Sequence, residues 1–398
     1  MPVLKELNQQ QYLPAEELEA IRISRLAHLF QIAKTHTKYY SQFNSYQELQ
    51  VLSKDIISQR FTDFVPSSYK KKLIKKTTGG STGTPFSYYS TNKSLSYLWA
   101  GIILSWQVAG YRTGDKVAFL AGSSLYKTGW QHRLFYNLMN IDILHASPLN
   151  DSVMKAYAEK IKCRKTTLVY GYAHAINALA DYLNRQPATS FPYLKGVVCT
   201  AELLTGSARE NIEKAFGVKV YNQYGCNEAG VSAFECEQGK MHIISTRCIY
   251  ETDKDGSLLG TDLSNEGFVM MKYNTTDIVT FSDETCSCKR NFPIIKNVVG
   301  RLNDVVVDMK GNVLHASFFG MVFSKDTSIK QFQIVYNNDI IEVNIHSNNP
   351  DEETYKNKYL PLLRNHAVFE YYNLKINSPF FVIKNGKHKE VVDNRQSR

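Results

Sequence analysis

The sequence lacks a long apolar run. Its longest apolar patch, residues 97–106 (YLWAGIILSW), is much shorter than the roughly 20 residues that a membrane-spanning helix needs. The first residues mix charged and periodic apolar side chains, so they also lack the uninterrupted apolar core of a secretory signal. These absences predict a globular protein with a cytoplasmic location and no membrane insertion.

A disulfide framework is also missing. The seven cysteines are odd in number and scattered along 398 residues, which is typical of a reducing compartment where thiols stay free or bind metal. At this length and 43% hydrophobic residues, the chain has enough apolar material for two or three well-buried domains. We find no internal repeats and no low-complexity tracts.

Signatures of nucleic-acid binding are absent despite a net charge of +10. The basic residues are spread evenly, and the only dense run, residues 70–76, directly precedes a glycine-rich segment. No RNA-binding signature, zinc-finger helix or basic region with heptads is present. A small phosphorylated ligand explains this placement better than a polymer, although a basic nucleic-acid-binding module stays open as an alternative.

An α/β fold is indicated by the alternation of apolar and amphipathic segments from Asp115 onward. Strand-like runs such as KVAFLAGS, TTLVYG and LKGVVCTAE are separated by helix-like segments, which is typical of a parallel sheet covered by helices. After Gly225 shorter β-like pieces predict an appended antiparallel region. We therefore expect a large N-terminal domain (1–300) and a small, mobile α+β domain (301–398).

The glycine-rich segment TTGGSTGTP carries the first candidate chemistry. Its glycines and small hydroxyl side chains present many hydrogen-bond donors, which suits an anion. It is not a Walker loop, because Thr84 and Pro85 follow Gly83 where that motif requires lysine. The alternative is a flexible surface loop beside a solvated basic run.

Five motifs in order, TTGGSTGTP, YGCNEAG, YNTTD, GRLND and NGKHK, resemble those of the adenylate-forming (acyl-CoA synthetase) superfamily. The resemblance extends over residues 75–393 and is strongest to the phenylacetate-CoA ligase and CapK-like branch. It implies ATP-dependent activation of a carboxylic acid, aryl in our prediction, as an acyl-adenylate. The acyl group then passes to a thiol of CoA or of a carrier protein. An amine acceptor and a catalytically silent nucleotide-binding homologue remain alternatives.

The resemblance also assigns roles to individual residues. Lys387 is the expected catalytic lysine, with Lys384 and Lys389 close by, and Glu228 is expected to hold Mg²⁺ at the phosphates of ATP. Asn303 takes the hinge position, where the family has Asp or Lys, and Asn227 stands where the family has Thr. The expected nucleotide-binding residues are Thr78, Gly79, Gly80, Ser81, Thr82, Gly83, Thr84, Tyr224, Gly225, Asp277 and Arg301.

The acid pocket is predicted from residues that follow strand-like runs. Tyr126 and Trp130 follow the KVAFLAGS run, and Glu202 is the last residue of LKGVVCTAE, at the strand ends where α/β sheets bind ligands. The aromatic rings suit a flat aryl acid. Alternatively they are ordinary core residues, because aromatic residues make up 12% of the whole chain.

A second constellation consists of three cysteines and one histidine. Cys236 and His242 flank a possible tight turn, and Cys286 and Cys288 form a C-x-C pair further along the chain. Three thiolates and one imidazole suit tetrahedral Zn²⁺, and a site with four protein ligands would be structural. Similar sets occur in the branch that the chain resembles. The alternative is a chance cluster of free thiols.

Overall fold

A computed structural model describes residues 2–77, 86–122, 129–146, 149–301, 305–323, 326, 328–380 and 390–395. The chain packs into two compact units, residues 1–112 with 221–298 (unit 1) and residues 113–220 with 299–398 (unit 2). The division into domains 1–300 and 301–398 stays a prediction.

The described residues form helices and strands in the following order. The helices are α1 Pro2–Gln10, α2 Ala15–His36, α3 Lys54–Gln59, α4 Asn92–Val108, α5 Trp130–Leu138, α6 Asp151–Cys163, α7 Ala173–Asn184, α8 Gly206–Phe216, α9 Ala316–Phe323 and α10 Glu352–His366. The first strands are β1 Ile74–Thr77, β2 Ser87–Ser90, β3 Val117–Ala121, β4 Ile141–His145, β5 Leu168–Tyr172, β6 Gly196–Thr200, β7 Val220–Cys226, β8 Val231–Glu235, β9 Met241–Ile243 and β10 Cys248–Thr252. The remaining strands are β11 Ser257–Asp262, β12 Tyr273–Ser282, β13 Ile294–Arg301, β14 Val305–Val307, β15 Val313–His315, β16 Ile329–Tyr336, β17 Ile340–Ser347, β18 Tyr371–Ile376 and β19 Val391–Asp393.

Unit 1 contains the antiparallel β region that the sequence predicts. Its strands follow the order β10-β11-β12-β13-β9-β8-β7, and β7, β8 and β9 pair antiparallel. A separate antiparallel hairpin joins β1 to β2. The two chain segments of unit 1 share one buried core cluster. Tyr40 and Phe64 from the first segment and Phe268 from the second segment belong to it.

Unit 2 contains the predicted parallel sheet. Its strands follow the order β6-β5-β3-β4 and pair in parallel. Every residue of β3, β5 and β6 is buried, as expected for strands covered on both faces. Gly171 is required in β5, because a Cβ there would lie 1.8 Å from the carbonyl oxygen of Leu120. The sequence did not predict strand β4 or helix α6.

The last part of unit 2 is an α+β arrangement, as predicted. Strands β16 and β17 form a hairpin, and β18 and β19 pair in parallel with them to give the order β18-β17-β16-β19. Helix α10 begins one residue after Asp351, whose side chain accepts hydrogen bonds from the backbone N–H groups of Glu353 and Thr354, so Asp351 is its N-cap.

No helix in the described part of the chain is both long enough and apolar enough to cross a bilayer.

Candidate nucleotide site and metal centre

Two of the predicted nucleotide-binding residues lie in direct contact. The hydroxyl group of Tyr224, on β7, donates a hydrogen bond of 2.6 Å to the carboxylate of Asp277, on β12. Both side chains are partly buried. A bond to a charged acceptor is stronger than a neutral one, so this contact orients the carboxylate of Asp277 within unit 1.

A β-bulge sets the direction of Asp277. Ser257 on β11 pairs with Ile278, whereas Leu259 pairs with Asn274, so three residues of β12 oppose one residue of β11. Thr276 inside the bulge has a φ of +63°, a conformation that β-branched residues rarely adopt. Its backbone N–H donates to Asn274 Oδ1 at 2.7 Å, which stabilises the kink. Bulges of this kind redirect side chains at functional sites.

The YGCNEAG motif forms the end of β7 and the turn that follows it. Gly225 is exposed on the strand, and Glu228 is partly buried in the turn. The turn ends at Gly230, which has a φ of +71° and where a Cβ would lie 2.5 Å from Asp262. Only glycine fits at that position, so the turn that carries Glu228 is held closely against Asp262.

The other nucleotide-site predictions can be located only in part. Arg301 is the last residue of β13. Several calls lie outside the described residues and stay predictions: Thr78, Gly79, Gly80, Ser81, Thr82, Gly83, Thr84, Asn303 and Lys387.

A buried histidine and glutamate pair lies at the carboxyl ends of β5 and β6. His174 Nδ1 is 2.8 Å from both carboxylate oxygens of Glu202, and the backbone N–H of His174 donates to Glu202 Oε2 at 3.1 Å. The two side chains are only 9% and 5% exposed. Because an ionised carboxylate only accepts, Nδ1 carries a proton. Glu202 was predicted as a pocket residue, whereas His174 was not.

Of the two predicted aromatic pocket residues, Trp130 lies within the described part of the chain. Trp130 begins α5 and is 74% exposed. Tyr126 lies outside the described residues. In the middle of the parallel sheet, the rings of Phe119 on β3 and Tyr170 on β5 are 4.8 Å apart. At the carboxyl end of β5, the ring of Tyr172 stacks against His174.

The cysteines and the histidine of the second constellation converge as predicted. The sulfur and nitrogen atoms of Cys236, His242, Cys286 and Cys288 all lie within 4.8 Å of one another. Cys236 Sγ is 3.6 Å from Cys286 Sγ, and Cys288 Sγ is 3.4 Å from His242 Nε2. Donor atoms of a tetrahedral zinc site are about 3.3–3.8 Å apart, so this set fits Zn²⁺.

The residues around the cluster affect its donor atoms in different ways. His242 Nδ1 is 2.7 Å from the carbonyl oxygen of Phe292, and since a carbonyl accepts, Nδ1 carries the proton and Nε2 keeps its lone pair. Burial raises the pKa of the Cys236 thiol to about 12. Burial also opposes ionisation of Cys288, but hydrogen bonds from Arg290 lower the pKa of that thiol overall. Arg290 itself is held by Glu237 through two hydrogen bonds.

The chain is similar in sequence to named proteins, although no protein-family model matches it. Protein CapK of Staphylococcus aureus is 24% identical over 383 residues, which cover 89% of this chain and 83% of that protein. The phenylacetate-coenzyme A ligase of Thermus thermophilus is 27% identical over 158 residues, 36% of this chain and 35% of that protein.

Solved structures extend the likeness to the whole fold. The 2-hydroxyisobutyryl-CoA ligase in complex with 2-HIB-AMP matches with a TM-score of 0.73 at 17% identity, over 97% of this chain and 92% of that one. The anthranilate CoA ligase AuaEII matches with a TM-score of 0.55 at 14% identity, over 81% and 66% of the two chains.

The chain therefore resembles adenylate-forming CoA ligases in fold. Its similarity in sequence is to protein CapK and to phenylacetate-coenzyme A ligases. The predicted resemblance and fold class are therefore confirmed, and the relatives support the prediction of an ATP-dependent, AMP-forming ligase.

Proposed function

We propose that the protein joins a carboxylic acid to the α-phosphate of ATP and then transfers the acyl group to a thiol. The observation that carries this proposal is the Tyr224–Asp277 contact, because it pairs two residues from motifs shared with the adenylate-forming superfamily. Named relatives include phenylacetate-coenzyme A ligases, and a structural neighbour was solved with 2-HIB-AMP and CoA. Both support acid activation followed by thioester formation.

The residues have separate tasks in this proposal. Asp277 accepts hydrogen bonds from the ribose hydroxyl groups, and Tyr224 fixes that carboxylate while its ring faces the adenine. The glycine motif, residues 78–84, supplies neutral donors to the β- and γ-phosphates, with Arg301 at the ribose or phosphate. Glu228 would hold Mg²⁺, which neutralises phosphate charge when bound. Lys387 stabilises the negative charge that develops on the α-phosphate and carboxylate oxygens.

In this proposal the acid binds at the carboxyl ends of the parallel strands of unit 2. Tyr172, the last residue of β5, supplies aromatic surface there, which supports an aryl acid. Glu202, held by His174, belongs to the wall of this pocket in our proposal, together with the predicted residues Tyr126 and Trp130. Polar groups in a mostly apolar pocket fix the orientation of a ligand.

The acceptor is a thiol in this proposal, either CoA or the phosphopantetheine of a carrier protein. A mobile C-terminal domain with its hinge at Asn303 would remove Lys387 between the two steps. The second candidate is an amine acceptor, since the amide bond synthetase McbA matches with a TM-score of 0.50 at 14% identity. We propose a cytoplasmic location, because the seven cysteines form no disulfide.

Acid-dependent exchange between ATP and pyrophosphate tests the first step without requiring the acceptor. We expect exchange with one class among aryl, fatty and amino acids, with aryl acids giving the fastest rate. Absence of exchange with every acid, in a protein that binds ATP, would support the silent homologue instead. Adding CoA or an amine to the active mixture then identifies the acceptor from the product.

Lys387→Ala is expected to abolish exchange, because the developing charge loses its ammonium partner, while ATP still binds. The exchange rate and an ATP titration measure the two effects on the same sample. Lys384→Ala and Lys389→Ala are the matched controls and should retain exchange. Full activity in Lys387→Ala together with a loss in either control would move the catalytic assignment to that neighbouring lysine.

A further inference from the structure

A fully buried arginine lies behind the turn that carries Glu228. The side chain of Arg247 is 0% exposed. Its Nη1 donates to Ser232 Oγ, and its Nη2 donates to Asn227 Oδ1 at 3.2 Å. Among the described residues, its Nε finds no acceptor. A buried charge is costly when its partners are neutral, so stability alone is a weak reason for an arginine at this position.

Asn227 extends the network in the opposite direction. Its Nδ2 donates to the hydroxyl oxygen of Tyr88 at 2.8 Å. Tyr88 lies on β2, which directly follows the glycine motif in the sequence, and Asn227 directly precedes Glu228. The chain of hydrogen bonds from Arg247 through Asn227 to Tyr88 therefore connects the YGCNEAG motif to strand β2, since Asn227 and Tyr88 are 139 residues apart.

The amide of Asn227 is oriented from both ends. Its oxygen accepts from a guanidinium, which only donates, so the amide nitrogen must face Tyr88. Burial raises the pKa of Tyr88 well above its ordinary value, and the Glu228 carboxylate raises it further. The phenol thus keeps its proton and can donate onward while it accepts from Asn227.

We propose that Arg247 is a positioning residue for nucleotide binding, acting through Asn227 on the turn that holds Glu228. This inference rests on the proposed function. It also gives a physical reason for the departure from the family at Asn227. An amide spans the distance between a buried donor and Tyr88 and can bond to both, whereas a threonine has one hydroxyl group to share between them. Asn227 is then an alternative support for the turn rather than a sign of lost activity.

The affinity for ATP in the presence of Mg²⁺, measured by calorimetric titration, tests the inference directly. Arg247→Met should weaken ATP binding by about tenfold or more, since a hydrogen bond from a charged group is lost. Arg247→Lys keeps the charge and should recover part of the affinity. Arg22→Met is the control, because Arg22 is another arginine of unit 1, partly buried, that pairs with Glu19 and lies over the ring of Tyr250. It should lower thermal stability and leave the affinity for ATP unchanged.

A double-mutant cycle separates positioning from general destabilisation. Asn227→Thr and Arg247→Met should each weaken ATP binding, and the double variant should be no weaker than the poorer single variant, because both changes interrupt the same chain. Tyr88→Phe removes a single hydroxyl group and supplies a milder variant if Arg247→Met fails to fold. In exchange assays, KM for ATP should rise more than kcat falls.

The outcomes distinguish this inference from the proposed function. If Arg247→Met binds ATP as tightly as Arg22→Met, or if the two single effects simply add, the positioning role is wrong while the ligase activity stands. If the wild-type protein binds ATP and shows the coupling but exchanges pyrophosphate with no acid, the proposed function fails and the network remains supported. A wild-type protein that binds no ATP overturns both.

Discussion

The metal cluster and the Tyr224–Asp277 pair, both in unit 1, differ in whether protein atoms alone complete the site. The metal cluster gathers four donor atoms within 4.8 Å of one another, so protein atoms alone supply a full tetrahedral set. The Tyr224–Asp277 pair consists of one hydroxyl and one carboxylate, both partly buried, and in our proposal it is completed only when a nucleotide binds. A closed set of this kind stabilises the fold, whereas an open set contributes its energy only when a ligand binds.

Removing one metal ligand should have the largest effect on stability. Cys286→Ser is expected to release zinc and to lower the free energy of unfolding by about 4 kcal/mol, because metal binding and folding are coupled in structural sites. Elemental analysis and a thermal melt measure the two effects, and a chelator should act on the wild-type protein in the same direction. Cys163→Ser, at an exposed position on α6, is the control and should change neither. A wild-type protein purified without zinc would contradict the metal assignment.

Substitutions in the Tyr224–Asp277 pair should reduce ATP affinity and leave stability nearly unchanged. Tyr224→Phe removes the hydroxyl group that orients Asp277, and we expect ATP affinity to fall about tenfold, since the bond involves a charged acceptor. The melting temperature should change little, because both side chains are partly exposed to solvent. Asp277→Asn should weaken binding further. A large loss of stability with unchanged ATP affinity would mean that the pair is structural, and the contrast with the metal cluster would disappear.

The sequence carries some of these features in a form that pattern analysis can detect. The buried strands β3, β5 and β6 are continuous apolar runs, so the parallel sheet could be predicted from them. Three thiols and an imidazole suit tetrahedral Zn²⁺, so the candidate metal ligands could be predicted from residue type together with the resemblance.

Other features depend on contacts between distant residues. Tyr224 and Asp277 are 53 residues apart, and the bulge that brings Asp277 toward Tyr224 is a property of strand register rather than of composition. Arg247 has no local signal, because an isolated arginine before a strand is ordinarily exposed. Strand β4 was missed because it is an edge strand in which only Ile141 and Leu144 are buried, so its apolar pattern is weak.

Asp326 in unit 2 is a carboxylate that protein groups alone complete, so acid titration can measure its contribution to stability. Asp326 accepts hydrogen bonds from Lys358 Nζ at 2.6 Å and Tyr359 Oη at 2.8 Å, all within unit 2. Burial opposes its ionisation, but these partners lower the pKa of Asp326 to about 2 from an ordinary value of 3.8. Because the folded-state pKa is the lower one, the carboxylate stabilises the fold above about pH 4 and loses this contribution as the pH falls toward 2.

Asp326→Asn should therefore lower the free energy of unfolding by about 1 kcal/mol at pH 7, a modest effect because ion pairs near the surface are weak. Urea unfolding of the wild type and the variant between pH 7 and pH 2 should show this difference shrinking over the lowest two units. Acidification would remove a metal ion from the cluster in both proteins alike, so their difference isolates Asp326 from the metal cluster. Asp255→Asn, at an exposed turn, is the control and should show no difference at any pH. A gap that persists unchanged to pH 2 would mean that the shape of the Asp326 side chain, and not its charge, stabilises this part of unit 2.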